Sequence, residues 1–431
     1  MRTMRIAVKL KGWMQAVVAV ALVSALAACG GGGGDSSSSG NNSSSALNGG
    51  SLPTSPTQQP IAATAANTVS ITVGQGVSGV INIPTVSVTV CAPGSTSNCQ
   101  TINNIQVDTG SFGLRVVGPG VLNSSLQSAL QPITVSGGQL AECATFADGV
   151  TWGTVRTASI SIGGETATNI PIQIIGDKDT STVPSQCNSG SVENTASDLG
   201  ANGILGIGTA PTDCGATCAN AATAVSFSNY FACPNGGSCA RTQVSLAQQV
   251  ANPVARFPTD NNGVIVQMPP VSDTGASSAT GTLVFGIGTQ SNNALAAAQT
   301  FTTDAYGDLN NSVFNGTTVQ AFFDSGSNAY FFSDSSIAQC SKYTGFYCPS
   351  SAQTRSITLV GLNNVKATAD IGILSAATLF SNGSNYAFND LAGRIGGSAS
   401  FDLGLPFFYG RHMYVGFDQT ANGGQSPYVG Y

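Results

Sequence analysis

The chain has 431 residues, of which only 8% are charged, and its 14 Lys and Arg against 20 Asp and Glu leave a net charge of −6. That balance excludes a broad basic surface for nucleic acid. A single histidine, His412, confines any Ser–His or Cys–His chemistry to one position, where a structural role is the commoner one.

Arg2, Arg5, Lys9 and Lys11 precede an apolar run over 14–28, a basic region followed by a hydrophobic stretch too short to span a bilayer comfortably. The run ends Leu26-Ala27-Ala28-Cys29-Gly30, which resembles the lipobox of bacterial lipoproteins. The resemblance implies a signal peptide over 1–28 and lipidation of Cys29. The protein would then be held at the bacterial cell envelope, at the outer membrane on its periplasmic or surface face, by acyl chains alone. An ordinary secretory signal with a coincidental Cys is the other reading. Residues 30–66 are Gly, Ser and Asn followed by Pro, Thr and Ala, with little apolar bulk, and together with Cys29 they read as a disordered tether over 29–66.

Low charge, abundant Thr, Val, Ser and Gly, and short alternating apolar runs predict an extracytoplasmic all-β protein from about Thr68 onward. Setting Cys29 aside leaves ten cysteines, an even number suited to an oxidising compartment. Proximity suggests Cys91 with Cys99, Cys214 with Cys218, Cys233 with Cys239 and Cys340 with Cys348, leaving Cys143 and Cys187 for each other, although ten cysteines allow many pairings. The spacings lack the Cys-x2-Cys signature of a zinc site, so no metal is expected. The stretch from Gly203 to Gly208 lacks the Lys-Ser/Thr of a phosphate loop, and no cofactor is implied.

Alternation over 81–90 and again over 102–107 predicts a hairpin that feeds Asp108. That residue opens the turn Asp108-Thr109-Gly110-Ser111, followed by the apolar stretch 114–117. In the second half Val313-Phe314, the tight turn Asn315-Gly316 and the apolar run 319–323 repeat the construction, ending in Asp324-Ser325-Gly326-Ser327. A third match, Asp273-Thr274-Gly275, has no apolar strand before it and reads as a surface turn. Helical signals are few, over 245–250 and 294–299.

Two strand-ending Asp turns half a chain apart are the layout needed to bring two carboxylates together, one holding a proton and the other acting as base. Here the chain resembles the pepsin-like aspartic proteases, and the match covers about residues 70–431. Ser159-Ile160-Ser161-Ile162-Gly163-Gly164 looks like the strand and turn after that family's flap hairpin. Asn202-Gly203-Ile204-Leu205-Gly206 looks like the motif that supports the first catalytic turn. Gly281-Thr282-Leu283-Val284-Phe285-Gly286 resembles the start of the second lobe, and Phe401-Asp402-Leu403-Gly404 looks like the second copy of the supporting motif.

The resemblance implies a bilobal all-β fold with pseudo-twofold related barrel lobes, an N-terminal lobe over 67–265, a C-terminal lobe over 266–431, and a few short helices. It implies that Asp108 and Asp324 activate water for attack on a peptide carbonyl, that Thr109 and Ser325 cross-brace the turns, and that Ser111 and Ser327 bind the outer carboxylate oxygens. Gly110 and Gly326 keep the turns open to close approach. It further implies a monomer, a peptide or protein partner, no nucleic acid and no cofactor. Two positions depart from the family. The flap tyrosine falls on Phe146 and its tryptophan partner on Arg115. Arg115 is expected either in a salt bridge on its strand or reaching the cleft, and Phe146 either as an apolar hairpin contact or as a substrate-covering tip. Phe112 and polar Asp402 are further irregularities. Besides a lipid-anchored endopeptidase, the sequence admits a noncatalytic peptide- or glycan-binding relative and a structural, adhesin-like surface protein.

Overall fold

Alternation in the strand Pro84–Cys91 buries Val86, Val88 and Val90 and turns Ser87 outward, and its antiparallel partner Cys99–Asp108 buries Ile102, Ile105 and Val107 toward the same core. These strands come from a computed structural model that describes residues 48–49 and 51–431, apart from the single positions 136, 188, 236 and 398. The basic leader, the apolar run, Cys29 and the first part of the tether lie outside the described residues.

The fold is all-β and bilobal. In the first lobe, Cys99–Asp108 pairs in parallel with Gly203–Ile207, which pairs antiparallel with Phe112–Val117. In the second lobe, Thr317–Asp324 pairs in parallel with Ser400–Gly404, which meets Tyr330–Phe332 antiparallel. The register repeats as well: Asp108 lies opposite Gly206, and Asp324 opposite Gly404. Glycine is required at these two places because a β-carbon at Gly206 would run into the Phe112 backbone and one at Gly404 into the Ala329 carbonyl. The hairpin into Asp324 closes through Asn315 and Gly316, both at positive φ (49° and 74°), as an Asn-Gly turn demands.

The lobes share a sheet. Thr68–Val73 pairs with Ala279–Phe285, which pairs with Gly263–Gln267, which pairs with His412–Gly416. A lobe boundary at 265/266 therefore falls inside the strand Gly263–Gln267, and the two lobes meet along paired strands rather than at a linker.

The tether expectation needs correction over 51–66. Ser51 O accepts from the Thr354 hydroxyl, and Gln58 is bonded through its N–H to Gly410 O and through its side chain to His412 N–H. Gln59 O meets His412 Nε2 at 2.8 Å, and Ile61 exchanges hydrogen bonds with Gln267 and Thr282. This segment lacks apolar bulk, but its backbone and amide groups are satisfied by the second lobe and the shared sheet, so it is laid down as a strap. The sole histidine serves that strap. Of the two expected helices, 245–250 contains only the single turn Leu246–Gln248 and 294–299 is irregular, while Ala221–Phe227 is helical without having been expected. The Asp273 turn is exposed, with Gly275 N–H bonded to Ser272 O.

Among the described residues, five disulfides join Cys91–Cys99, Cys143–Cys187, Cys214–Cys218, Cys233–Cys239 and Cys340–Cys348. Cys143–Cys187 spans 44 residues and ties the strand Gly138–Thr145 to a distant loop, whereas the others staple short local loops.

Candidate active site

Each Asp turn makes the same hydrogen bonds. Asp108 Oδ1 accepts from Gly110 N–H at 2.9 Å and its Oδ2 from the Ser111 hydroxyl at 2.6 Å. Asp324 Oδ1 accepts from Gly326 N–H at 2.8 Å, and its Oδ2 lies 3.0 Å from the Ser327 hydroxyl oxygen. Strand pairing fixes each Asp backbone, and the turn supplies a backbone N–H and a serine hydroxyl that orient its carboxyl group.

The turns are then locked to one another. The Thr109 hydroxyl donates to Phe323 O at 2.9 Å and accepts from Ser325 N–H at 2.9 Å; the Ser325 hydroxyl donates to Val107 O at 2.8 Å and accepts from Thr109 N–H at 3.1 Å. Gln106 adds a bond from Nε2 to Gly326 O at 2.9 Å. A β-carbon on Gly110 would strike the Asp324 carboxyl, and one on Gly326 would lie 2.5 Å from Asp108 Oδ1. Each glycine thus leaves room for the other lobe's carboxyl.

Asp108 and Asp324 are both buried. Burial holds the Asp324 carboxyl well above the ordinary carboxylate range, and the charges of Asp108 and Asp402 and a hydrogen bond with Asp108 push the same way against the Ser327 hydroxyl. These effects favour a proton on Asp324. Asp402 belongs to this cluster, since the Ser327 oxygen also lies 2.6 Å from its Oδ2.

The two departing positions meet. Arg115 Cζ stands 5.9 Å from the centre of the Phe146 ring, within cation–π range. The guanidinium is buried and bonded to Phe112 O at 2.8 Å, Glu142 at 2.5 Å and Asp213 at 3.1 Å. Asp213 also accepts from the Tyr230 hydroxyl. One cation faces two carboxyl groups there. Burial, followed by the charge of Glu142 and a hydrogen bond with it, raises the Asp213 carboxyl well above the ordinary carboxylate range, against the charge of Arg115 and the Tyr230 hydroxyl. Phe146 sits among Val117, Ala144, Ile175, Leu199 and Ile204, inside the first lobe, at the turn between Gly138–Thr145 and Gly149–Ile162. Of the two expectations for each residue, the buried ion pair fits Arg115 and the apolar contact fits Phe146.

The structure thus brings together Asp108, Thr109, Gly110, Ser111, Asp324, Ser325, Gly326 and Ser327, sets Arg115 and Phe146 against each other, and leaves Cys29 outside the described residues. Sequence reasoning missed Gln106, Glu142, Asp213 and Tyr230. Glu142 had one usable signal, an acidic residue inside the apolar strand Gly138–Thr145 of a chain with very few charges. Phe112 places its ring 6.5 Å from Tyr306, an aromatic contact between the lobes beside the turns. Among the described residues, no group of three or more His, Cys, Asp and Glu side chains is arranged to hold a metal ion.

No curated protein matches the sequence. Among solved structures, the chain is similar to the aspartic proteinase from Irpex lacteus, at 16% identity over 85% of this chain and 97% of that one, with a TM-score of 0.49. A family model described as "Protein of unknown function (DUF3443)" matches residues 63–431, and the chain belongs to that family.

Proposed function

We propose that the protein is an aspartic-type endopeptidase in which Asp108 takes a proton from water and Asp324, holding its proton, polarises the carbonyl of a peptide bond. The observation that carries this reading is the reciprocal brace of Thr109 and Ser325, which holds two buried carboxyl groups from two lobes against each other's glycine. A structural protein would gain nothing from burying such a pair, because each carboxyl group raises the cost of ionising the other. The test is cleavage of a diverse peptide library by the purified protein, abolished by Asp108→Asn and by Asp324→Asn.

One observation favours a second reading, a binder of peptide or glycan in the cleft: Phe146 packs into the first lobe under Arg115. Ligand binding that persists in the double variant Asp108→Asn/Asp324→Asn, without turnover, would select it.

The proposal extends to location. Cys29 carries the lipid and holds the enzyme at the cell envelope, supported by the basic leader and the Leu26-Ala27-Ala28-Cys29 sequence. Metabolic labelling with a fatty acid, lost on Cys29→Ser, checks this.

A further inference from the structure

The repeat between the lobes is broken at one position of the supporting strands. In the first lobe Ile204 lies opposite Gln106; at the matching place in the second lobe Asp402 lies opposite Phe322. Ile204 packs with Val117 and Phe146. The fold therefore accepts an apolar residue here, and a buried carboxyl group at Asp402 has a cost that packing does not explain.

Its position relative to Ser327 supplies an explanation. A serine hydroxyl has one proton to donate and can accept on its lone pairs. The Ser327 oxygen is 2.6 Å from Asp402 Oδ2 and 3.0 Å from Asp324 Oδ2, so with both carboxyl groups ionised one of these contacts would set lone pair against lone pair. One carboxyl on this line must carry a proton. The 2.6 Å contact has the length of a hydroxyl donating to a carboxylate, and the 3.0 Å contact that of a weaker neutral bond. The chain of donors then runs from Asp324 Oδ2–H to Ser327 Oγ, and from the Ser327 hydroxyl to the Asp402 carboxylate. In the first lobe Ser111 donates to Asp108 Oδ2 at 2.6 Å, and Ile204 stands where a third carboxyl group would be.

We propose that Asp402 is a positioning residue of a three-carboxyl unit: acting through Ser327, it fixes the proton on Asp324, breaks the symmetry of the pair, and makes Asp324 the acid and Asp108 the base. The assignment of acid and base rests on the hydrolase reading above; the coupling of Asp402 to Asp324 does not. Asp324 faces Asp402 on the strand beside it and Asp108 from the first lobe. The strand on the other side sets Phe331 opposite Asp402, and the phenol of its Tyr330 is coupled to Arg411 and Asp390. The consequence for the enzyme is a pair that keeps its single proton to higher pH than an unassisted one.

The test is a pH titration of 13C-carboxyl aspartate signals in the full-length protein. Asp324 is assigned by its loss in Asp324→Asn, and fold is checked by circular dichroism. In Asp402→Asn the Asp324 signal should titrate lower by about one pH unit or more. Ser327→Ala, which keeps both carboxyl groups and removes the bridge, should also shift the Asp324 signal, and Asp402→Asn made on top of it should shift that signal by less than in the wild type; Ser327→Ala alone decides the matter if Asp402→Asn does not fold. The alkaline limb of peptide cleavage should fall with the Asp324 signal. An Asp324 titration unmoved in the folded variants overturns the proposal. Movement of the signal in a protein that cleaves no peptide would uphold the three-carboxyl unit and defeat the hydrolase reading alone.

Discussion

Arg115 lies over the ring of Phe146, with its guanidinium carbon 5.9 Å from the ring centre, and so links the strand after the first Asp turn to the tip of the neighbouring hairpin. In the pepsin-like resemblance these positions belong to a tryptophan and a tyrosine joined by a hydrogen bond. Here a cation–π contact joins them, and the cation is anchored below by Glu142 and Asp213. The two departures form one paired replacement.

Arg115→Met removes the cation and leaves Glu142 and Asp213 facing each other in the core. Breaking a buried ion pair from one side costs about 3–5 kcal/mol. Denaturant unfolding should show a loss of that size; a change within about 0.5 kcal/mol, the range of ordinary surface substitutions, would mean that the network contributes nothing to stability.

Thr109→Val keeps the shape of the side chain and deletes its hydroxyl, leaving Phe323 O and Ser325 N–H without that partner. The expected cost is about 1–3 kcal/mol for each buried group left unsatisfied. Ser325→Ala should behave alike, and the double variant should lose less than the sum because the two hydroxyls brace the same contact. A double-mutant cycle measured by unfolding checks the coupling.

Burial and the charge of Asp273 push the Asp390 carboxyl up to about 7. Its folded value exceeds its unfolded one, so the protonated form stabilises the fold. That contribution is complete below the ordinary carboxylate range, falls as pH climbs toward 7, and is lost above it. Asp390→Asn should flatten the decline in stability between about pH 4 and pH 7; the same slope in the variant would assign the decline to other groups.

The Cys143–Cys187 disulfide closes the longest loop of the five and holds the hairpin strand that carries Glu142. Replacing both cysteines with Ala should cost about 2–4 kcal/mol. The pair Cys214–Cys218, only 4 residues apart, should cost less, because short loops lose little entropy on closure. Thermal unfolding of the two double variants ranks them.

How much of this was legible depended on distance along the chain. The Asp turns, the Asn315-Gly316 hairpin and the Gly206 and Gly404 positions are local patterns, each dictated by a backbone shape, and they stand out in the sequence. Arg115 was visible as an oddity, but its partners Glu142 and Asp213 are 27 and 98 residues away, beyond any periodicity. Asp402 likewise reads as an irregularity until Ser327, 75 residues earlier, is set against it. The strap over 51–66 was misread because composition reports apolar burial, and this segment is held by backbone and amide hydrogen bonds. The helices failed for a related reason: runs such as 294–299 have the propensity but no apolar face to bury.

The central claim is that Asp108 and Asp324 together hydrolyse peptide bonds. The direct measurement is mass-spectrometric detection of endoproteolytic products from a diverse peptide library, incubated between acidic and neutral pH with the purified wild-type protein, Asp108→Asn and Asp324→Asn. The account predicts internal cleavage by the wild type, reduced at least about 10²–10⁴-fold by either substitution with the fold intact. Cleavage undiminished in both variants, or none from the folded wild type at any pH in that range, would contradict it.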